Sequence, residues 1–153
     1  MNFVVEQMQE QHIAAVVALE QECRLNSRGE AGYRKAIQDE RSLLLVGLAE
    51  PLEVMAEVVA LFSALMVLDE LQIDNVAVAE SHRRKGFAAL LLAEALKRAR
   101  EKEIRNAFLE VRAMNLPALG LYESQGFFVV GRRKNYYRNP PDDALTMTLS
   151  LCK

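Results

Sequence analysis

Apolar positions along the chain change their period several times, and each change marks an element. Phe3-Val4-Val5 reads as a short first strand. Over 10–25 the apolar residues Ile13, Val16, Val17, Leu19 and Cys23 recur at helical spacing. Arg28-Gly29-Glu30 breaks that pattern, and 31–39 suits a second short helix. The run 42–48 is a strand, Glu50-Pro51 a turn, and 54–67 a long strand. A central strand follows over 71–78, with Leu71, Ile73, Val76 and Val78 apolar. From 86 to 100 the period returns to helical: Phe87, Leu90, Leu91, Ala95, Leu96 and Ala99 share a face, and Lys97, Arg98 and Arg100 suit a helix C-terminus.

The segment 107–111 is again a strand. Asn115 is a preferred N-cap, Pro117 is tolerated in a first turn, and Gly126 suits the residue just past a helix end. They bracket a helix from 115 to about 125. Strands over 127–130 and 145–151 close the chain, with the basic Arg132-Arg133-Lys134 and an Asn-Pro-Pro turn between them. The predicted order is β-α-α-β-β-β-α-β-α-β-β, a mixed α/β sheet.

The length of 153 residues fits one domain over 1–153 that buries a core without staples. A composition 51% apolar and 26% charged is that of an ordinary globular protein, and a net charge of -2 argues against a general nucleic-acid binder. The apolar run 58–68 is too short to span a bilayer, and Met1-Asn2-Phe3-Val4-Val5-Glu6 lacks the basic start of a signal peptide. Cys23 and Cys152 have no metal or redox spacing and read as free thiols in a reducing cytoplasm. His12 and His82 are too far apart for a zinc site, so no metal is expected.

The most informative stretch is Asn75-Val76-Ala77-Val78, then Glu80-Ser81-His82-Arg83-Arg84-Lys85-Gly86-Phe87-Ala88. A buried strand ends, a basic turn follows, and a helix starts at small residues. Such a helix start leaves backbone N–H groups without partners and, flanked by Arg and Lys, suits a pyrophosphate. Gly86 and Ala88 leave room for close approach of a ligand to the backbone. A solvated basic turn before a surface helix explains the same residues, and His82 reads as a solvated neighbour of the turn.

Arg83-Arg84-Lys85-Gly86-Phe87-Ala88 resembles the [Gln/Arg]-x-x-Gly-x-[Gly/Ala] loop of the GNAT acetyltransferases. Leu109-Glu110-Val111-Arg112-Ala113-Met114-Asn115, followed by Leu121-Tyr122-Glu123-Ser124-Gln125-Gly126-Phe127, resembles the RimI-type N-terminal acetyltransferases within that family. The stretch 131–137 with Asp143-Ala144-Leu145-Thr146-Met147 is similar to their tail. The resemblance runs from about Leu68 to Leu151. Those enzymes carry a Pro-Trp pair between their first two helices, where this chain has Leu25-Asn26-Ser27-Arg28-Gly29 and no Trp.

The resemblance implies a GNAT fold: a mostly antiparallel sheet of six to seven strands flanked by about four helices. It implies acetyl-CoA as cosubstrate. Val76, Ala77 and Val78 would meet its pantetheine arm, and Arg83, Arg84, Lys85, Gly86, Phe87, Ala88 and Ala89 its pyrophosphate. Asn115 and Tyr122 would line the same ligand. A backbone N–H near Val78 would polarise the thioester oxygen. Glu110 takes the place of the general base and Tyr122 of the general acid, with Tyr136 and Tyr137 against the acceptor. The implied acceptor is a protein N-terminus, the N-terminal alanine of a small-subunit ribosomal protein, acted on in the cytoplasm by a monomer or weak dimer.

Each residue also has a structural explanation. Glu110 can be an edge carboxylate paired with Arg112, Tyr122 a core tyrosine, Asn115 a plain N-cap, and Tyr136-Tyr137 ordinary strand-end residues. Two other functions fit the same motifs. One is transfer to a small amine drawn in by Asp142 and Asp143; the other is a CoA-binding module without catalysis.

Overall fold

The computed structural model describes residues 2–50 and 55–152. Its strands are Asn2–Gln7 (β1), Ser42–Glu50 (β2), Glu57–Val67 (β3), Glu70–Val78 (β4), Asn106–Arg112 (β5), Phe128–Arg138 (β6) and Pro141–Ser150 (β7). The helices are Ile13–Glu22 (α1), Gly29–Ile37 (α2), Phe87–Glu101 (α3) and Leu116–Ser124 (α4). The element order is the one the hydrophobic pattern predicts. Pro51 and Val54, which entered the predicted turn and third strand, lie outside the described residues.

One seven-stranded sheet runs β1-β2-β3-β4-β5-β7-β6. Every neighbouring pair is antiparallel except β4 with β5. Leu44 and Leu45 are adjacent in β2, so they face opposite sides of the sheet, yet only 5% and 0% of their surfaces are exposed. Both faces of the sheet centre are therefore covered. Helices α1 and α2 pack on β2 to β4, and α3 buries Phe87, Leu91, Leu92, Ala95, Leu96 and Ala99 against β1 to β4.

The parallel pair decides the shape. It holds for three positions only, Glu70 to Gln72 against Asn106 to Phe108. Beyond them β5 stays bonded to β7 along its whole length. β4 stays bonded to β3, with a register shift that leaves Asp74 as an extra residue. Such a bulge bends its strand. Past it the two strands part, and a wedge opens in the middle of the sheet.

Among the boundaries that differ from the sequence expectation, three have a plain physical cause. The basic segment Arg132-Arg133-Lys134 is not a loop but the middle of β6. β6 is an edge strand, where charged side chains are tolerated on open faces, so loss of apolar alternation does not end it. Helix α1 closes at Glu22, with Arg24 at φ 55 and the Leu25 N–H donating back to Glu20 O at 3.0 Å. Helix α2 starts at Gly29, inside the predicted break. Its free amides find a partner in a side chain eight and nine residues back: the Glu20 carboxylate accepts the Arg28 N–H at 3.0 Å and the Gly29 N–H at 3.3 Å.

Glu20 also accepts the Tyr33 hydroxyl at 2.6 Å, with only 1% of Glu20 and none of Tyr33 exposed. Burial pushes the Glu20 carboxyl up, but bonds from Tyr33 and the two amides, with Ser27, outweigh it and hold the carboxyl below its ordinary range. One buried carboxylate thus caps α2 and fixes the α1–α2 loop. Glu20→Ala is expected to destabilise the fold by about 3 kcal/mol, because it strands two amides and a phenol. The depressed folded-state pKa makes this contribution full above the unfolded carboxyl value of about 4.3 and lost as pH falls through the folded value. Urea unfolding at pH 7 and pH 3.5 should therefore show a gap between wild type and Glu20→Gln that narrows at the lower pH.

Candidate active site

Where β4 leaves β5 its outer edge has no strand partner. The Ala79 N–H donates to Val59 O at 2.7 Å, which fixes the alternation of ladder bonds up the strand. Ala77, like Ala79, turns its backbone groups toward β3. Val76 and Val78 turn theirs into the wedge. The wedge opens on a cavity of about 1470 Å³ whose lining includes Val76, Glu110, Asn115, Tyr122, Tyr136 and Tyr137. Ala77, Val78 and the segment 83–89 are not part of that lining. The structure thus gathers the expected chemical and acceptor residues in one cavity and places the expected anion loop beside it, at the end of β4.

That loop has the features of an anion cradle. A short 3-10 turn at Glu80–His82 leads to Gly86, which caps α3 at φ 78, ψ 9. Among the described residues no hydrogen bond uses the backbone amides of 84–89. A Cβ at Gly86 would meet nothing of the protein within 4 Å, so glycine is called for by its left-handed backbone and not by crowding from the chain itself. Arg84, at φ 64, shares the tight conformation. Arg84 and Lys85 are exposed, and Ala88 and Ala89 half-buried. Arg83 turns back: its Nε donates to Val78 O at 2.9 Å and its Nη2 to Cys23 Sγ at 3.6 Å. It ties the loop to the end of β4 while its charge stays near the loop. The His82 ring is half-buried and stacks on Phe87, 6.3 Å between centroids.

Asn115 caps α4, its Oδ1 accepting the Ala118 N–H at 3.2 Å. At the other end the Phe127 N–H donates to Tyr122 O at 3.0 Å and the Gly126 N–H to Glu123 O at 3.0 Å, the paired bonds of a glycine helix stop. These two ends set the helix so that Asn115 and Tyr122, two turns apart, face one cavity. Tyr122 is 8% exposed and meets Phe127 edge-on at 5.9 Å. Burial pushes its phenol up to about 12, so it stays protonated near neutral pH. No hydrogen bond to its hydroxyl is found among the described residues.

Glu110 lies on β5 just past the parting point, its side chain 36% exposed. Its nearest cation is Arg133 Nε at 3.9 Å, not Arg112. The Arg112 guanidinium instead donates to Pro140 O at 2.8 Å and Asn139 O at 3.4 Å, and lies 4.1 Å from the centroid of the Tyr137 ring. Tyr136 and Tyr137 stand edge to face at 5.1 Å on the wall that β6 contributes. Burial, then the nearby Glu110 charge, pushes the Tyr137 phenol up.

Asp142 and Asp143 do not present free carboxylates to the cavity. Asp142 accepts the Met114 N–H at 3.1 Å. Asp143 accepts the Asn135 N–H at 2.8 Å and pairs with Arg132 at 2.6 Å. They brace the β6–β7 hairpin, which removes the sequence argument for a cation-attracting pair. Sequence reasoning missed this bracing, and it missed Arg112 as a contact of the hairpin. The available signal was position: Arg112 lies two residues past Glu110, on the same face of the strand.

Residues 6–127 match the model of the acetyltransferase (GNAT) family. The ribosomal protein bS18-alanine N-acetyltransferase of Escherichia coli K12 is 36% identical over 88 residues, 56% of this chain and 60% of that protein. The protein of the same name from Haemophilus influenzae is 42% identical over 74 residues, 48% of this chain and 50% of its own length. These matches thus span about half to three-fifths of the relatives concerned. The crystal structure of the ribosomal-protein-S18-alanine N-acetyltransferase from Escherichia coli superposes with a TM-score of 0.85 at 27% identity, over 99% of this chain and 96% of that one. With the parted strands, the open amides at the start of α3 and a family match over most of the chain, the sequence resemblance is borne out: the chain belongs to the acetyltransferase (GNAT) family.

Proposed function

We propose that this protein transfers an acetyl group from acetyl-CoA to the α-amine of a protein N-terminus, the N-terminal alanine of a ribosomal protein like bS18. The observation that carries the reading is the wedge itself. An unpaired β4 edge and the open amides of α3 lie beside a cavity that holds a carboxylate, a buried phenol and an aromatic wall. The names of the two similar bacterial proteins and of the superposed crystal structure supply the acceptor class.

In this reading the amides of 84–89, with Arg84 and Lys85, hold the pyrophosphate at the positive end of α3. Arg83 adds charge from its place against Val78. The backbone of Val76 bonds the pantetheine arm, and the Val78 N–H, whose own carbonyl is held by Arg83, is aimed where the thioester oxygen gains charge. The Asn115 side-chain amide, whose nitrogen the cap does not use, bonds the same arm. Acetyl-CoA supplies an acetyl thioester when bound.

Glu110, through a water, takes the proton that the amine nitrogen loses as its bond to carbon forms. An α-amine with a pKa of about 7.7–8.0 is partly neutral at pH 7, so a solvated carboxylate suffices as base. Tyr122 meets the sulfur as the carbon–sulfur bond breaks. A phenol at about 12 is a weaker acid than a thiol at about 8.5, so its first service is a hydrogen bond to the growing negative charge. The phenol proton then passes to the sulfur, and the tyrosinate regains a proton from water, to which Glu110 releases the one taken from the amine. Tyr136 and Tyr137 flank the acceptor chain.

Thiol release from acetyl-CoA should be seen with peptides bearing a free N-terminal Ala or Ser and not with N-terminally blocked Lys peptides. Its rate should rise between pH 6 and 8 with the amine. Transfer to polyamines or Lys alone would overturn the acceptor. Glu110→Gln and Tyr122→Phe are each expected to lower kcat by about 100-fold with acetyl-CoA affinity nearly unchanged; full activity in both removes the assigned roles. Asn115→Ser separates cap from ligand. It should keep the thermal midpoint within about 2 °C, because Ser caps as well as Asn, and still weaken acetyl-CoA binding by about tenfold in calorimetry.

A further inference from the structure

β5, which carries Glu110, pairs with β7 along its length up to Arg112 and Ala144, and the hairpin tip with the tyrosine wall lies beyond that ladder. β6 and β7 pair up to Arg133 and Ala144 with one bulge at Val130, then lose register again until Tyr137 meets Asp142. Across the gap Asn135 takes φ 53. Ladder bonds alone therefore leave the stretch with Tyr136 loosely specified, and the two pairs beyond it, Tyr137 with Asp142 and Arg138 with Pro141, form the tip. Asp143 braces the near side of this stretch. The tip is braced from β5. Arg112 forks to the carbonyl oxygens of Asn139 and Pro140 and lays its guanidinium 4.1 Å from the centre of the Tyr137 ring.

We propose that Arg112 is a positioning residue for the acceptor: it locks the β6–β7 tip and the Tyr137 ring against the strand that bears Glu110, and so sets the width of the acceptor passage. The inference rests on the reading of Tyr136 and Tyr137 as the acceptor wall. Its physical basis is the planar fork of arginine, which bonds two carbonyls and stacks on a ring at once. A lysine keeps the charge and can reach one carbonyl, but it cannot do both. Glu110 and Arg112 share a face of β5, so a shift of the fork moves the wall relative to the base. Among the described residues the Arg112 side chain makes no hydrogen bond or ring contact with the 84–89 loop, which leaves cosubstrate binding outside its influence.

The test compares wild type, Arg112→Lys, Tyr137→Leu and the double variant. With an N-terminal Ala peptide, Arg112→Lys should raise the acceptor KM about tenfold, change kcat less than about threefold, and leave the acetyl-CoA KM alone. The double variant should be no worse than Tyr137→Leu, because the two act as a unit. Hydrogen–deuterium exchange should speed up over 136–143 in Arg112→Lys and stay unchanged in α3. Unchanged exchange over 136–143, an unchanged acceptor KM, or additive losses would each overturn the assignment. If wild type acetylates no peptide, the N-terminal acceptor reading fails, and the exchange comparison still decides whether Arg112 holds the tip.

Discussion

β4 and β5 are the one parallel pair in the sheet, and they bond over three positions before they part. Backbone N–H and C=O groups in the middle of a sheet are rarely left without partners. Here the edge at Val76 turns such groups into a cavity instead of toward a strand, and the Val78 carbonyl oxygen is taken by Arg83 Nε at 2.9 Å. The parting has two local causes: β5 is committed along its length to β7, and the extra residue at Asp74 bends β4 away. Everything that makes the site useful hangs on that separation. It exposes main-chain bonding groups for an extended ligand, brings the start of α3 to one end, and brings Glu110 and Tyr122 to one cavity.

Polar contacts brace the elements on both sides of the wedge. On one side, the buried Glu20 carboxylate binds two amides and the Tyr33 hydroxyl, fixing the α1–α2 loop. From that loop Arg28 reaches Asp74 at the bulge at 3.2 Å. On the other, Arg112 ties β5 to the hairpin tip, and Asp142 and Asp143 tie the hairpin to itself and to the segment after β5. Charged groups at partly dry positions work well as such ties, because breaking one leaves an unpaired partner behind. The loop at 25–29 is ordered by the Glu20 carboxylate beneath it.

Electrostatics sorts the titratable groups by role. Tyr122 is buried without a nearby charge, so its phenol is pushed up and stays protonated, the state a donor needs. Glu110 is partly open to water, the condition for exchanging protons through a solvent molecule. The anion loop combines unpaired amides with exposed cations, so its attraction reaches beyond the protein surface and weakens with salt. In the proposed reading each of these environments suits one task; among the described residues His, Cys, Asp and Glu form no metal-type cluster.

Much of this was legible in the sequence because it depends on near neighbours. The order of strands and helices follows from period changes in hydrophobicity, the ends of α4 from Asn115 and Gly126, and the helix start after the basic turn from Gly86. The motif spacing from Arg83 to Phe127 carried the family. What the chain alone did not reveal depends on partners far apart in sequence. The alternative structural explanation pairs Arg112 with Glu110, but Arg112 serves the hairpin, because the fold brings two carbonyls and a ring within its reach. Asp142 and Asp143 were weighed as attractants for a cation but are spent on amides and Arg132. Helix α2 begins inside an apparent break because its cap comes from Glu20, on another helix. β6 runs on through three basic residues because an edge strand leaves side chains exposed to water. Local pattern sets which elements form; the choice among polar partners is made only when the sheet closes, since charges bind whatever geometry brings near.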